Sequence, residues 1–445
     1  MGLLHTHLAR PKAWPPPRTD DAVAATLRYA RQRDPIGHRL HLLLALAHVF
    51  TLPLSTAGSS ITFGLLIGYA ILRLPSTWRC YTALLRVPIL WVLALWAGWT
   101  ALSLFWSSDP QQGAEELWTM RMALLPPALW PVLDRAAWIV GAALVGVLAQ
   151  QVAQLLQYTQ LLNLRPQEPP GRLGGWIHPI QTGAWCAAAM CWYVSGIMTG
   201  RGRLRWVLPA GLLLAALGLL ATQSRGPWLA AAIALPAALL IITLRRPESW
   251  RAAVLLLVLG LLGAAAAWPF AGDAVSDRVQ QAVEDYQSAR EDDVYHTNVG
   301  LRIGQWRWTW DIFTSHPVVG VGAGGFPDAQ ARQPLFREAL QRRPDKADKM
   351  TRDHPHSTTL YILATTGAIG GVIVLATIVL AFLAAWRDRP DHPWARGTFF
   401  LLIVWLIGAQ FDCYNLNGHL LGLFMLAVTL TLPHRPPAGA TYTEH

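Results

Sequence analysis

The sequence has little charge for its length. Of its 445 residues only 14% are charged, whereas a soluble globular domain carries about 25%. The hydrophobic share is 53%, so a soluble core of this size would leave more apolar surface than water tolerates. A disordered chain and a coiled coil are excluded on the same grounds. The composition therefore indicates a polytopic, all-α membrane protein.

Cysteine is also scarce, and this excludes a disulfide scaffold. The four cysteines are too few and too widely spaced for a bridge framework, so we expect small core residues. They are Cys80, Cys186, Cys191 and Cys413.

The net charge of +10 does not indicate a nucleic-acid partner. The basic residues lie mostly in short segments between apolar runs, as lipid topology requires. The sequence also lacks a nucleotide cradle, an Asp-x-Asp sugar-nucleotide motif and a nucleophile triad. We therefore expect membrane lipids as neighbours and no nucleic acid.

Twelve apolar runs are each long enough to cross about 30 Å of hydrocarbon at about 1.5 Å per residue. A backbone in lipid must satisfy its own hydrogen bonds, so each run is predicted to be a helix. The fourth is the weakest, because Pro126, Pro127 and Pro131 interrupt it. The runs lie near 38–55, 57–74, 87–107, 117–133, 136–159, 176–198, 204–222, 227–244, 252–270, 357–385, 394–410 and 417–432.

Lys and Arg are concentrated in alternate connections, which places the N-terminus in the cytoplasm. An even number of spans leaves both termini inside and the longest connection outside. The predicted organisation is a cytoplasmic segment 1–35, spans 36–270, an outer loop 271–355, spans 356–432 and a cytoplasmic tail 433–445.

The outer loop contains a predicted helix from Arg302 to Ser315, ended by His316 and Pro317. Arg302, Trp306 and Trp310 recur at helical spacing and share one face. Two interpretations of Arg302 stand: a cation that snorkels to the headgroups, or a guanidinium that grips a lipid phosphate.

Gly320, Gly322 and Gly325 match G-x-G-x-x-G, but no strand-turn-helix unit accompanies them. We expect a tight turn in which glycine allows close backbone approach.

Two histidines, His354 and His356, precede the tenth span, which Ser357, Thr358 or Thr359 can cap. The positive end of the helix dipole favours the neutral imidazole that a general base requires. The alternatives are interfacial histidines with capping roles, or a metal site with the acidic run 291–293. The lack of standard ligand spacing argues against the metal.

Three arginines outside the loop are further candidates. Arg225 is expected just before the start of the eighth span, and a helix N-terminus beside a guanidinium suits phosphate oxygens. The alternative is a positional arginine. Arg172, before the sixth span, has the same character. Arg121 lies within the fourth span and should face a cavity or pair with Glu115 or Glu116.

These cations, a candidate base and many tryptophans gather at the outer boundary, where a lipid-linked diphosphate is an activated leaving group. The same residues resemble the O-antigen ligase and polymerase family of bacterial envelope glycosyltransferases. The resemblance covers roughly 170–380. It rests on Ser224-Arg225-Gly226, on Arg302 with the aromatics after it and His316 to Gly322, on Phe326, and on His354 to Leu360 followed by Thr366 to Gly371.

The resemblance implies a twelve-span glycosyltransferase of the GT-C type in the bacterial inner membrane, with a periplasmic active site. The donor would be a glycan on undecaprenyl diphosphate and the acceptor a sugar hydroxyl of the lipid A core. Transfer would invert the anomeric centre without metal or cofactor. His356 would accept the proton, Arg302 and Arg225 would clamp the diphosphate, and Arg172 would be a third clamp. Candidate supporting residues are His354, Arg121 and Trp306.

Two other functions remain open. A polymerase or another oligosaccharide ligase of the same superfamily would use the same donor with a different acceptor. A lipid or solute transporter would be expected to show internal repeats and several charges buried in mid-span, and neither is evident in the sequence.

Overall fold

The computed structural model describes residues 19–161, 171–200, 207–291, 295–387 and 393–432. Within these ranges the chain forms helices and no strand, which confirms the all-α prediction. The predicted tail, 433–445, lies outside them. The helices are α1 (Thr19–Arg33), α2 (Pro35–Thr51), α3 (Thr56–Leu72), α4 (Leu74–Leu84), α5 (Pro88–Ser103), α6 (Pro110–Thr119), α7 (Leu125–Leu129), α8 (Ala136–Tyr158), α9 (Pro179–Thr199), α10 (Leu208–Ala221), α11 (Arg225–Arg245), α12 (Trp250–Glu291), α13 (Asn298–Ser315), α14 (Phe326–Arg332), α15 (Pro334–Arg342), α16 (Ala347–Met350), α17 (Thr358–Trp386), α18 (Pro393–Gly408) and α19 (Gly418–Thr431).

Several helical stretches are long and apolar enough to cross a membrane. Among the described residues there are four, or five if the bent pair α3–α4 counts as one span. The apolar helices α10, α18 and α19 are shorter. The number of twelve spans therefore stays a prediction. The four stretches are Pro88–Trp106, Pro110–Tyr158, Arg225–Arg245 and Thr358–Trp386.

The fourth apolar run does not form one continuous helix. Residues 110–135 divide into α6, a 3-10 turn, α7 and a second 3-10 turn. Pro126, Pro127 and Pro131 remove amide donors and clash with the preceding turn, so regular α-helical bonding resumes only at Ala136.

The structure has no break at the predicted boundary between residues 270 and 271. Helix α12 runs without interruption from Trp250 to Glu291. Its second half is polar but rich in Ala, Gln, Arg and Glu, which are good helix formers, so the helix outlasts the apolar run. The predicted outer loop therefore begins within a helix that continues from the ninth predicted span.

Helix α9 is the centre of the bundle and packs against α10, α11 and α18. It is buried on nearly every side, as expected for a helix that is apolar all round. The indole N–H of Trp192 donates to Thr398 Oγ1 on α18 over 3.1 Å. Large apolar side chains on the outer helices remain exposed, for example Leu261 and Val372, as in a surface that faces lipid. The four cysteines are free and buried, as predicted.

Helix α17 is broken at Gly367, which has φ +66°. The segment 317–322 lies against this break, and one of its carbonyls accepts from the N–H of Ala368 over 2.8 Å. A Cβ at Gly320 would lie 2.4 Å from the carbonyl carbon of Thr365. The glycine-rich segment is therefore a close-packed turn, as predicted, that supports the first part of α17.

Candidate active site

Four arginines and two histidines line one cavity of about 410 Å³. The arginines are Arg172, Arg225, Arg302 and Arg352, and the histidines are His178 and His356. The cavity lies where α9, α11 and α17 begin and α18 ends. The structure thus brings together His356 and the three arginines that the family resemblance assigns to the diphosphate, and it adds Arg352.

Arg172 is fixed against the chain that leads into α11. Its Nε donates to the carbonyl of Thr222 over 3.0 Å, and its Nη2 donates to Ser224 Oγ over 3.0 Å. Ser224 precedes α11 without capping it through its side chain, since its hydroxyl also donates to the carbonyl of Thr222. The first amides of α11 are therefore not taken by this side chain, and an anion is a suitable partner for them.

Arg225 is the first residue of α11, one step inside the helix rather than before it as predicted. Gln223, two residues earlier, has φ +47°, an unusual conformation for a residue with a side chain. The sharp turn at Gln223 lets Arg172, Ser224 and Arg225 meet at the cavity.

Arg302 lies on α13, and the predicted helix from Arg302 to Ser315 is confirmed with four more residues at its start. Burial lowers the pKa of Arg302 from its ordinary value; the charge of Asp412 opposes this, and that of Arg225 adds to it. Two guanidinium groups and a carboxylate are therefore close enough to affect one another. A diphosphate would relieve the repulsion between the two cations.

His356 is hydrogen-bonded to Asp412, with 3.3 Å between Nδ1 and Oδ1. Asp412 lies between α18 and α19, and its Oδ1 also accepts from the N–H of Cys413 over 2.9 Å. Burial alone would raise the pKa of Asp412, but the hydrogen bond from His356 and the nearby His354 lower it below its usual value. An ionised carboxylate thus orients the imidazole.

The backbone at His356 is strained, with φ +52°. Such a conformation costs roughly 1–3 kcal/mol and persists where the surroundings impose it, often at functional sites. The N–H of His356 donates to His354 Nδ1 over 3.3 Å. Burial, and then the charge of His356, lowers the pKa of His354, which favours this neutral acceptor. Ser357 caps α17, as one of the three predicted candidates.

His354, His356 and Asp412 could hold a metal ion, because one ligand atom from each lies within 4.8 Å of the others. Two of the three residues in the acidic run predicted to complete such a site, 292 and 293, lie outside the described residues. The direct contact between His356 and Asp412 already engages Nδ1 of the imidazole and Oδ1 of the carboxylate. The arrangement therefore suits acid–base chemistry better than metal binding.

Trp306 and Arg121, two supporting candidates, differ in their placement. Trp306 packs against Phe411, a cavity residue, with 6.4 Å between ring centroids. Arg121 is not among the residues that line the cavity. It donates to the carbonyl of Trp118 over 2.8 Å and lies over the ring of that residue.

The predicted pairing of Arg121 with Glu115 or Glu116 is replaced by these contacts. Glu116 instead accepts from the hydroxyl of Tyr361 and, over 3.1 Å, from the N–H of Gly324. The prolines after Arg121 produce short turns, and these turns determine which residues lie next to Arg121. The apolar pattern of the run did not predict those contacts.

An apolar groove of about 430 Å³ lies beside the cavity, between α17 and α18. Leu363, Leu375 and Trp405 are among its lining residues. Ala409 and Gln410 line the groove, while the flanking residues 408, 411 and 412 line the cavity. A cationic cavity and an apolar groove therefore share one short stretch of chain.

Residues 210–375 match the family model described as O-antigen ligase. This stretch of the chain is therefore similar to the O-antigen ligase family. The family resemblance found in the sequence is thus confirmed, and members of this family are glycosyltransferase-like membrane enzymes. No curated protein matches the chain significantly.

The O-antigen ligase region contributes Arg225, Arg302 and His356 to the cavity. Arg172 and Asp412 lie outside the matched residues, yet they reach the same cavity. Sequence reasoning missed Asp412 because it follows a span in a short connection, 56 residues after the histidine that it contacts. Arg352 could have been predicted from the sequence, because it is a basic residue two positions before His354.

Proposed function

We propose that the protein is an O-antigen ligase. It transfers a glycan from undecaprenyl diphosphate to a sugar hydroxyl of the lipid A core, with inversion and without metal or nucleotide. The observation that carries this proposal is the convergence of Arg172, Arg225, Arg302 and the His356–Asp412 pair on one cavity. The O-antigen ligase match of residues 210–375 supports the same donor and acceptor classes.

The arginines bind the diphosphate in this proposal. Guanidinium groups hold phosphate oxygens through paired hydrogen bonds, and they stabilise the charge that develops as the sugar leaves. Arg225 and Arg302 act from α11 and α13, and Arg172 acts beside the start of α11. The partial positive charge of the α11 N-terminus also stabilises the negatively charged diphosphate.

His356 acts as the general base. Its Nδ1 faces Asp412, so Nδ1–H donates to the carboxylate and Nε2 is the nitrogen that accepts a proton. The acceptor hydroxyl loses its proton to Nε2 as its oxygen bonds to the anomeric carbon. The bond from that carbon to the phosphate oxygen breaks on the opposite face, and the diphosphate leaves with the electron pair. Asp412 stabilises the imidazolium that forms.

The apolar groove between α17 and α18 suits the lipid part of the donor. Isoprenoid chains need a lipid-facing apolar surface, and this groove adjoins the cationic cavity along residues 408–412. The membrane around α17 and α18 would deliver the donor laterally. We place the protein in the bacterial inner membrane with the cavity at the periplasmic face, where the donor itself supplies the free energy.

A transfer assay with purified protein tests the proposal. It uses a glycan on undecaprenyl diphosphate with either a lipid A core acceptor or a second lipid-linked glycan. Transfer to the core is expected. Elongation of the second glycan alone would identify a polymerase of the same superfamily.

Chelation provides the second arm of this assay. Activity is expected to persist in EDTA. Loss of activity that a divalent ion restores would assign His354, His356 and Asp412 to a metal instead.

A further inference from the structure

Three buried glutamines occupy one face of α8. Gln150, Gln154 and Gln157 are spaced by four and three residues, so their side chains share that face. Each is at most 4% exposed. None lines the cavity. A buried amide is costly unless it is hydrogen-bonded, so their partners matter.

The glutamines bind the backbone of the segment that follows Arg172. Gln157 Oε1 accepts from the N–H groups of Gly174 and Gly175, over 3.1 and 2.9 Å. Gln154 Nε2 donates to the carbonyl of Leu173 over 3.0 Å, and Gln150 Nε2 donates to the carbonyl of Gly174. Three consecutive residues are therefore tied to α8.

The same contacts reach the chain that leads into α11. Gln154 Nε2 also donates to the carbonyl of Gly218 on α10 over 3.0 Å. The N–H of Leu173 donates to the carbonyl of Ala221 over 2.9 Å, next to the carbonyl of Thr222 that Arg172 binds. The segment 171–175 is thus held between α8 and the end of α10.

The path of this segment leaves no space for a side chain at Gly174 or Gly175. A Cβ at Gly174 would lie 2.5 Å from the carbonyl oxygen of Ile177. Gly175 has φ +67°, and a Cβ there would lie 2.8 Å from Gln150 Nε2. Close packing and buried hydrogen bonds fix the segment in a place where water cannot substitute for the glutamines.

We propose that Gln150, Gln154 and Gln157 are positioning residues for the diphosphate. They set the location of Arg172 relative to the start of α11, and they do so without contact with substrate. The inference rests on the proposed function, in which Arg172 is a clamp. It extends the site to α8, a helix that precedes the matched O-antigen ligase residues.

The test compares substitutions of Gln157 in the purified full-length protein. Gln157→Leu leaves the N–H groups of Gly174 and Gly175 without their acceptor, so Arg172 loses its fixed position. We expect KM for the lipid-linked donor to rise about tenfold, with kcat within about twofold. Gln157→Glu keeps the acceptor oxygens and should restore most of the donor affinity.

Gln151→Leu is the matched control. Gln151 is the neighbouring glutamine on α8, and the glutamine hydrogen bonds to residues 173–175 come from Gln150, Gln154 and Gln157. Its substitution should leave KM for the donor unchanged. If Gln157→Leu does not fold, Gln150→Leu replaces it. A smaller rise in KM, about threefold, is expected there, since Thr182 Oγ1 also donates to the carbonyl of Gly174 over 2.7 Å.

Arg172→Gln, measured in parallel, distinguishes the positioning role of the glutamines from the clamp role of Arg172. A rise in KM for Arg172→Gln but not for the Gln157 or Gln150 variants overturns the positioning role and leaves the clamp intact. Unchanged KM for all of them, while His356→Ala is inactive, removes Arg172 from the clamp and the glutamines with it. A fall in melting temperature and kcat without a KM effect identifies the glutamines as structural only and also overturns the inference.

Discussion

The contact between His356 and Asp412 decides which ring nitrogen is available for catalysis. Asp412→Asn keeps the shape of the side chain but removes the charge that orients and stabilises the imidazolium. We expect kcat to fall roughly 100-fold or more, with little change in KM for either substrate. Steady-state transfer kinetics check this.

His356→Ala should be inactive in transfer while it inserts into the membrane normally. If the His356→Ala protein is active, His356 is not the base.

Arg302 separates two interpretations that the sequence leaves open. A clamp needs the planar fork of the guanidinium, so Arg302→Lys should lower kcat/KM at least about tenfold although the charge is kept. A snorkelling cation would tolerate lysine fully. The same change at Arg342, an exposed residue of α15 paired with Glu338, is the control, and Arg342→Lys should be neutral.

At the residue level the sequence indicated part of the site. Arg225, Arg302 and His356 stand at helix starts or on a helical face, and local pattern finds such positions. Asp412 could not be found in this way, because its role depends on a contact across two helices. The amides of α8 were hidden for the same reason, since a glutamine within an apolar run gives no sign of its partner.

Among the elements, α17 depends on a glycine that no other residue replaces easily. Gly367 has φ +66° and ψ −168°, and a Cβ there would lie 2.2 Å from the carbonyl oxygen of Val318. Gly367→Ala should therefore destabilise the protein by roughly 1–3 kcal/mol and disturb the start of α17, next to His356. Thermal unfolding in detergent measures the first effect and transfer activity the second.

Gly371→Ala is the control on the same helix. A Cβ at Gly371 would meet only the flexible end of Leu363, which can move aside. An equal loss of stability in both variants would mean that the break of α17 carries no special strain.

Element boundaries were harder to predict than element type. Hydropathy identified the apolar helices, but it could not place the end of α12. The polar half of α12 continues as a helix because it is rich in residues that favour helix formation. Hydropathy also predicted one span over residues 117–133, but the prolines in this apolar stretch divide it into short helical turns.

For the whole molecule, the two ends of the bundle carry different arginine groups. One end holds the cavity, while the other gathers Arg245, Arg387 and Arg396 around Trp386. The guanidinium of Arg245 lies 3.8 Å from the centre of the Trp386 ring. The positive-inside rule assigns the second end to the cytoplasm, so the cavity should face the periplasm.

Paired cysteine substitutions test this orientation. Glu338 is exposed on α15, near the cavity end, and Glu248 is exposed just after α11, at the other end. A membrane-impermeant thiol reagent applied to spheroplasts should label Glu338→Cys and not Glu248→Cys, and lysis should expose both. The four native cysteines are buried and should give little background. The opposite labelling pattern would place the arginine cavity in the cytoplasm, away from any periplasmic acceptor, and would remove the proposed ligase reaction.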